Sequence, residues 1–128
     1  NFDLEKISIE NVLDKGISIG ENSVVTAKEI FIKNSGVGIA VKDGSQATLS
    51  ELNVNDSKLF DIMTYNKKLM YKNPVARIYS NKNKINYSYS RSRNTELFIN
   101  DSLTKKNNID IDELYQNSFM KKRVNVKN

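Results

Sequence analysis

The sequence predicts an all-β chain wound as a right-handed, single-stranded parallel β-helix, with about five coils of 22–24 residues. Three observations carry that prediction. Two rows of apolar-x-apolar pairs recur in phase at this period, a polar Asn or Asp recurs at one slot between them, and the repeating segments alternate with the period of strands rather than helices.

The first row is Ile7/Ile9, Ile30/Ile32 and Leu52/Val54, with Leu97/Ile99 two periods on; Val75, followed by Arg77-Ile78-Tyr79, fills the place between. The second row is Ile17/Ile19, Ile39/Val41, Ile62/Thr64, Ile85/Tyr87 and Ile109/Ile111. β-branched residues dominate both, as expected of strands with one face buried. Asn11, Asn34, Asp56 and Asp101 each fall two residues beyond a first-row pair. Asn and Asp tolerate left-handed backbone and bond to nearby main chain, so this slot reads as the bend between two strands, stacked into a polar ladder. The turns Gly20-Glu21-Asn22-Ser23 and Lys42-Asp43-Gly44-Ser45 then lead to a short third strand, Val25/Ala27 and Ala47/Leu49. Three short strands per repeat stack as a solenoid, each pairing with its counterpart one coil on, about 4.8 Å away. Leucine-rich repeats share the period, but their Leu-x-x-Leu-x-Leu frame is absent.

Residues 4–111 form the regular coils of a single domain spanning 1–128, and 112–128 read as a cap. Leu114, Tyr115, Phe119 and Met120 have helical spacing, with Asp112 and Glu113 at the start and Lys121, Lys122 and Arg123 at the end, as the helix dipole favours. A short helix over 112–122 is expected to close the C-terminal end, followed by Val124/Val126 as an edge strand. The N-terminal end has no evident cap and the chain starts at Asn1, which reads as the C-terminal piece of a longer chain whose upstream coils, or a self-associating copy, cover the open end.

Composition narrows the chemistry. With 38% hydrophobic and 27% charged residues the chain suits a globular domain, and no apolar run approaches the roughly 20 residues of a membrane span. It has no Cys and no His, which removes disulfides, thiolate metal sites and the commonest general base; no metal site or cofactor is expected. Its 18 Asn, 16 Lys and 13 Ile suit an AT-rich coding sequence. The net charge of +5 is uneven: residues 1–61 carry 6 basic and 10 acidic side chains, 62–95 carry 8 and 0, and 96–128 carry 6 and 5.

DKGISIGENS at 14–23, GIAVKDGS at 38–45 and FDIMTYNKKLMYKNPVARIY at 60–79 resemble the right-handed β-helix repeats of bacterial proteins of the pectate-lyase-like superfold. They are most similar to the β-helical C-terminal regions joined to CotH-like kinase domains. The resemblance implies the fold over about residues 4–111 and a bacterial cell-surface or extracellular setting. It leaves activity open, because this superfold hosts lyases, hydrolases, adhesins and inert scaffolds.

The departure from the repeat is YNKKLMYKNP at 65–74, where earlier coils have four-residue turns, and Pro74 stops ladder pairing. Counting one period on places Tyr65, Lys67, Lys68, Tyr71 and Lys72 beside Tyr89, Arg91 and Arg93 on one edge of the solenoid. Five of the six tyrosines fall between 65 and 89, within the acid-free window. Aromatic rings stack on sugar faces while Arg and Lys pair with carboxylate, sulfate or phosphate, so this set is the candidate groove for an acidic polysaccharide. The competing reading is a strand surface decorated by tyrosines and a loop kept soluble by lysines. Nucleic acid is disfavoured, since no base-reading motif is present. By resemblance, enzymes of this superfold use Asp clusters for calcium with an Arg or Lys base, or several Asp as acid and nucleophile. Here Asp43, Asp56 and Asp61 read as turn residues, Asp110, Asp112 and Glu113 as the start of the capping helix, and Arg77, Arg91 and Arg93 lack a carboxylate set beside them. The leading expectation is therefore a non-enzymatic scaffold that contacts polysaccharide. The alternatives are a lyase or hydrolase fragment with its catalytic residues upstream, and a structural spacer that oligomerises through its open end.

Overall fold

The computed structural model describes residues 1–107, which form strands joined by turns, bends and irregular segments, with no helix among them. The strands are β1 (Phe2–Glu10), β2 (Lys15–Ile19), β3 (Val24–Lys42), β4 (Gln46–Tyr65), β5 (Val75–Ser80), β6 (Tyr89–Arg91), β7 (Glu96–Ile99) and β8 (Ser102–Leu103). They stack into a parallel β-helix of about four turns. The expected helix over 112–122, the Ile109/Ile111 pair and the Val124/Val126 strand lie outside the described residues.

β3 and β4 are each one whole coil: a third-row strand, a first-row strand and a second-row strand running on through two bends. β1 pairs with β3 in parallel, Ile7 opposite Ile30 and Ile9 opposite Ile32; β2 pairs with β3, Ile17 opposite Ile39. β3 pairs with β4 through Ile30 and Leu52, Ile32 and Val54, and Ile39 and Ile62, with one irregularity between Ser35 and Val37. The inward side chains form one continuous core: Ile30, Ile32, Ile39, Leu49, Leu52, Val54 and Ile62 are fully buried, each stabilising the fold by roughly 1.5–3 kcal/mol.

The bends also repeat. Asn11, Asn34 and Asp56 all have left-handed backbone, with φ of 60°, 57° and 59°. The Asn34 side-chain amide donates to the Asn11 side-chain oxygen at 2.8 Å. The opposite corner is left-handed as well, at Lys6, Glu29 and Glu51, with φ of 54°, 57° and 50°. Long charged side chains rarely take this backbone, and here the neighbouring coils hold it.

Beyond Tyr65 the sequence-based register needs correction. Val75–Ile78 does not continue the first row: Ala76 lies opposite Ala47 and Ile78 opposite Leu49, so the segment belongs to the third row. Leu97 and Ile99 stack in turn on Ala76 and Ile78 and belong to the third row too. Asp101, with φ 67°, therefore stands at the corner of Glu51 rather than that of Asn34 and Asp56. The cause is the loop of residues 66–74, which stretches the offset between Ala47 and Ala76 to 29 residues (76 − 47), so a count of 22–23 from Leu52 lands on the wrong row. The fourth coil then shortens its first-row arm to a tight turn bridged between Asn81 and Lys84.

The second row is displaced likewise. Tyr89, not Ile85 or Tyr87, lies opposite Ile62, and Arg91 lies opposite Thr64. Ile85 is 63% exposed. Tyr87 joins the core from another direction, its hydroxyl donating to the Leu52 carbonyl at 2.6 Å with that of Lys84 at 3.0 Å. After β7 the chain reverses: β8 pairs antiparallel with β7, and the Thr104 amide donates to the Leu97 carbonyl at 2.9 Å. This return closes the C-terminal end of the described coils. At the other end β1 is paired on one side only among the described residues, and Phe2 and Leu13 are each 58% exposed.

Candidate functional site

The loop of residues 66–74 leaves the helix where earlier coils turn through Gly20–Ser23 and Asp43–Ser45. It folds back over those turns. The backbone N–H groups of Lys67 and Lys68 donate to one carboxylate oxygen of Asp43 at 2.7 and 2.9 Å, and Asp43 is buried beneath them. The Lys68 ammonium donates to Glu21 at 2.6 Å. That hydrogen bond and the accompanying charge attraction hold the Glu21 carboxyl below its ordinary range and lift Lys68 above its own. Gly44, with φ 75°, takes left-handed backbone that glycine adopts without strain, and a Cβ there would also push the Asn22 side chain aside.

The neck of the loop is closed by the Asn66 side-chain amide donating to Asn73, and its apex by the Tyr71 N–H donating to the Lys68 carbonyl at 3.3 Å. The turn of the next coil stacks on this edge: the Ser92 amide donates to the Thr64 carbonyl at 3.0 Å and the Glu96 amide to that of Pro74 at 3.1 Å. Buried Thr64 and Thr95 hydroxyls meet at 2.8 Å between the two coils.

The eight candidate residues divide by environment. Lys67, Lys68, Lys72 and Arg93 are exposed on the loop and on the stacked turn, and Tyr71 is half-buried. Tyr65 is fully buried in a second apolar cluster with Val37, Ala40 and Met63, against which Leu59 and Phe60 pack. Tyr89 packs against the main core. Arg91 is spent on architecture, donating to the Thr95 carbonyl at 2.7 Å and to that of Thr104.

Of the three acids read as turn residues, Asp43 and Asp56 have left-handed backbone, with φ of 50° and 59°. Asp61 lies within β4 instead. It is buried, accepts the Ser88 amide at 3.0 Å and pairs with Lys84 at 3.2 Å, which pins the 80–88 segment to the coil.

Two shallow features on the outer face of the third-row strands were not singled out by the sequence. One, of about 230 Å³, is lined by Gln46, Thr48, Arg77 and Glu96, with the Arg77 guanidinium 4.4 Å from the centre of the Phe98 ring. The other, of about 620 Å³, is lined by Asp3, Glu5, Thr26, Lys28 and Ser50. Both follow from register, because outward positions of different coils become neighbours only when the strands stack.

Comparison with protein-family models, with curated proteins and with solved structures gives no match for this chain. What can be stated of its kinship is the architecture: an all-β parallel solenoid.

Proposed function

We propose that this domain is a non-enzymatic β-helix scaffold of a bacterial protein that contacts an acidic surface or extracellular polysaccharide, in keeping with its resemblance to the pectate-lyase-like repeats of CotH-kinase-associated proteins. The observation that carries the reading is the row of exposed cations Lys67, Lys72 and Arg93 on one solenoid edge, with Tyr71 between them, in a window of 34 residues (62–95) without an acid. Exposed cations pair with carboxylate or sulfate on a regularly charged chain; Lys67 and Lys72 lie on one loop and Arg93 on the turn of the next coil. Tyr65, Tyr89 and Arg91 serve this edge from within, as packing and as hydrogen-bond support.

The test is retention on immobilised polyuronate or sulfated polysaccharide. Wild-type protein is expected to be retained and to elute with salt, while Lys67→Gln, Lys72→Gln and Arg93→Gln combined abolish retention without changing the circular dichroism. Equal retention of wild type and triple variant sinks the reading. A second reading, a spacer that stacks end to end, is favoured by the one-sided pairing of β1 with Phe2 and Leu13 exposed. It calls for a sedimentation coefficient that rises with concentration and stops rising in Ile7→Lys.

A further inference from the structure

The loop of residues 66–74 carries a feature that a polysaccharide contact leaves idle. Leu69 is 98% and Met70 83% exposed, the two most exposed large apolar side chains among the described residues, and they are adjacent. They occupy the central positions of the turn closed between Lys68 and Tyr71, where chains ordinarily place Gly, Asn, Asp or Pro. Turn chemistry therefore does not account for them. Nor is the apex a loose end: the Asn66–Asn73 neck, the Asp43 carboxylate under the Lys67 and Lys68 amides, and the Lys68–Glu21 pair hold it from three sides.

The charges around the apex are matched to one kind of surface. Glu21 and Asp43, the acids facing the loop from the preceding coils, are engaged in its stem. Lys67 and Lys72 stand exposed on its two flanks, Tyr71 forms a half-buried shoulder, and Arg93 is exposed on the turn stacked beside it. An aliphatic apex with a tyrosine and cations just behind it has the layering of a bilayer interface: hydrocarbon first, then the headgroup level where amphipathic rings and lysines reside. A hydrated polysaccharide offers nothing to cover a convex Leu-Met pair.

We propose that this loop is a peripheral anchor, inserting Leu69 and Met70 into an anionic lipid bilayer while Lys67, Lys72 and Arg93 meet its headgroups. The anchor is of the interfacial kind, since only one loop enters; among the described residues no helix is long and apolar enough to cross a membrane. Polysaccharide contact along the same edge is independent of the apex.

The chain has no Trp, so Leu69→Trp places a single reporter at the apex. On adding phosphatidylcholine vesicles containing phosphatidylglycerol, its emission is expected to shift to the blue and to be quenched by lipids brominated on their acyl chains. Co-sedimentation of the otherwise unaltered protein should be strong on those vesicles and absent on phosphatidylcholine alone. Leu69→Ser with Met70→Ser should weaken it by at least about tenfold. Each of Lys67→Gln, Lys72→Gln and Arg93→Gln should weaken it by about fivefold. The apolar side chains are exposed, so the double variant keeps its fold, and its circular dichroism and its retention on acidic polysaccharide should match wild type. The proposal is overturned if the tryptophan emission does not move, if the double variant sediments with vesicles as well as wild type, or if the protein is held by polysaccharide and by no vesicle.

Discussion

Residues 2–65 and residues 66–107 are built from the same apolar-x-apolar strands, yet the first stretch repeats every 22–23 residues while the second never does. In the regular coils each inward side chain has a counterpart directly above or below. In the fourth coil the strands still pair, but the arcs between them have been rebuilt: a nine-residue loop at 66–74, a tight turn around 81–84, and a tyrosine hydroxyl brought under the preceding coil. The lesson is that strand stacking alone maintains the solenoid. The connections are then free to carry other chemistry, provided that buried acceptors such as Asp43 and Asp61 tie them down.

This contrast is open to test, from the largest effect to the smallest. Leu52→Ala should cost about 2–5 kcal/mol in urea unfolding, as a cavity in the stacked core does; a loss below 1 kcal/mol would mean that the regular coils are not the stabilising part. Asp43→Ala should cost about 1–3 kcal/mol through the two orphaned amides, and hydrogen exchange at Lys67 and Lys68 should quicken while the regular strands keep their protection. Quickening spread through β3 would instead make the loop part of the core.

Tyr87→Phe leaves the Leu52 carbonyl without its hydroxyl donor and should cost about 1 kcal/mol. Burial raises the Tyr87 phenol above its ordinary value. The unfolded chain therefore ionises first. The stability that Tyr87 contributes is fully present below pH ~10 and is lost as pH climbs toward the folded value. The variant should unfold less steeply in alkali than wild type, and identical alkaline profiles would show the hydroxyl to be solvent-exposed.

Ile85→Ala should change stability by no more than about 0.5 kcal/mol, because Ile85 is exposed and outside the stack. A loss like that of Leu52→Ala would restore the period-23 register. Smallest of all, Lys68→Ala should leave the melting temperature unchanged, its pair with Glu21 being open to solvent.

How far the sequence reaches follows from the same contrast. In the first three coils the pairing Ile7–Ile30–Leu52 and the left-handed bends at Asn11, Asn34 and Asp56 follow from period and residue type, because each strand has the same neighbour at the same separation. The polar edge was legible as charge: eight cations and no acid between 62 and 95 need no coordinates. The fate of its members was not. Tyr65 and Tyr89 lie on strands that pack them against apolar clusters while Tyr71 lies on the loop, and Arg91 is set apart from Arg93 by the carbonyls of Thr95 and Thr104.

The chain alone thus determined the solenoid and the site of its interruption, since both are properties of local pattern. Tertiary structure decided which row Val75–Ile78 and Leu97–Ile99 would join, that Lys6, Glu29 and Glu51 would turn left-handed, and that Asp43 would seat the loop. The physical reason is the length of the insertion. Once a loop breaks the period, sequence distance no longer measures height along the helix, and only the hydrogen-bonded register of one coil on the next restores the count.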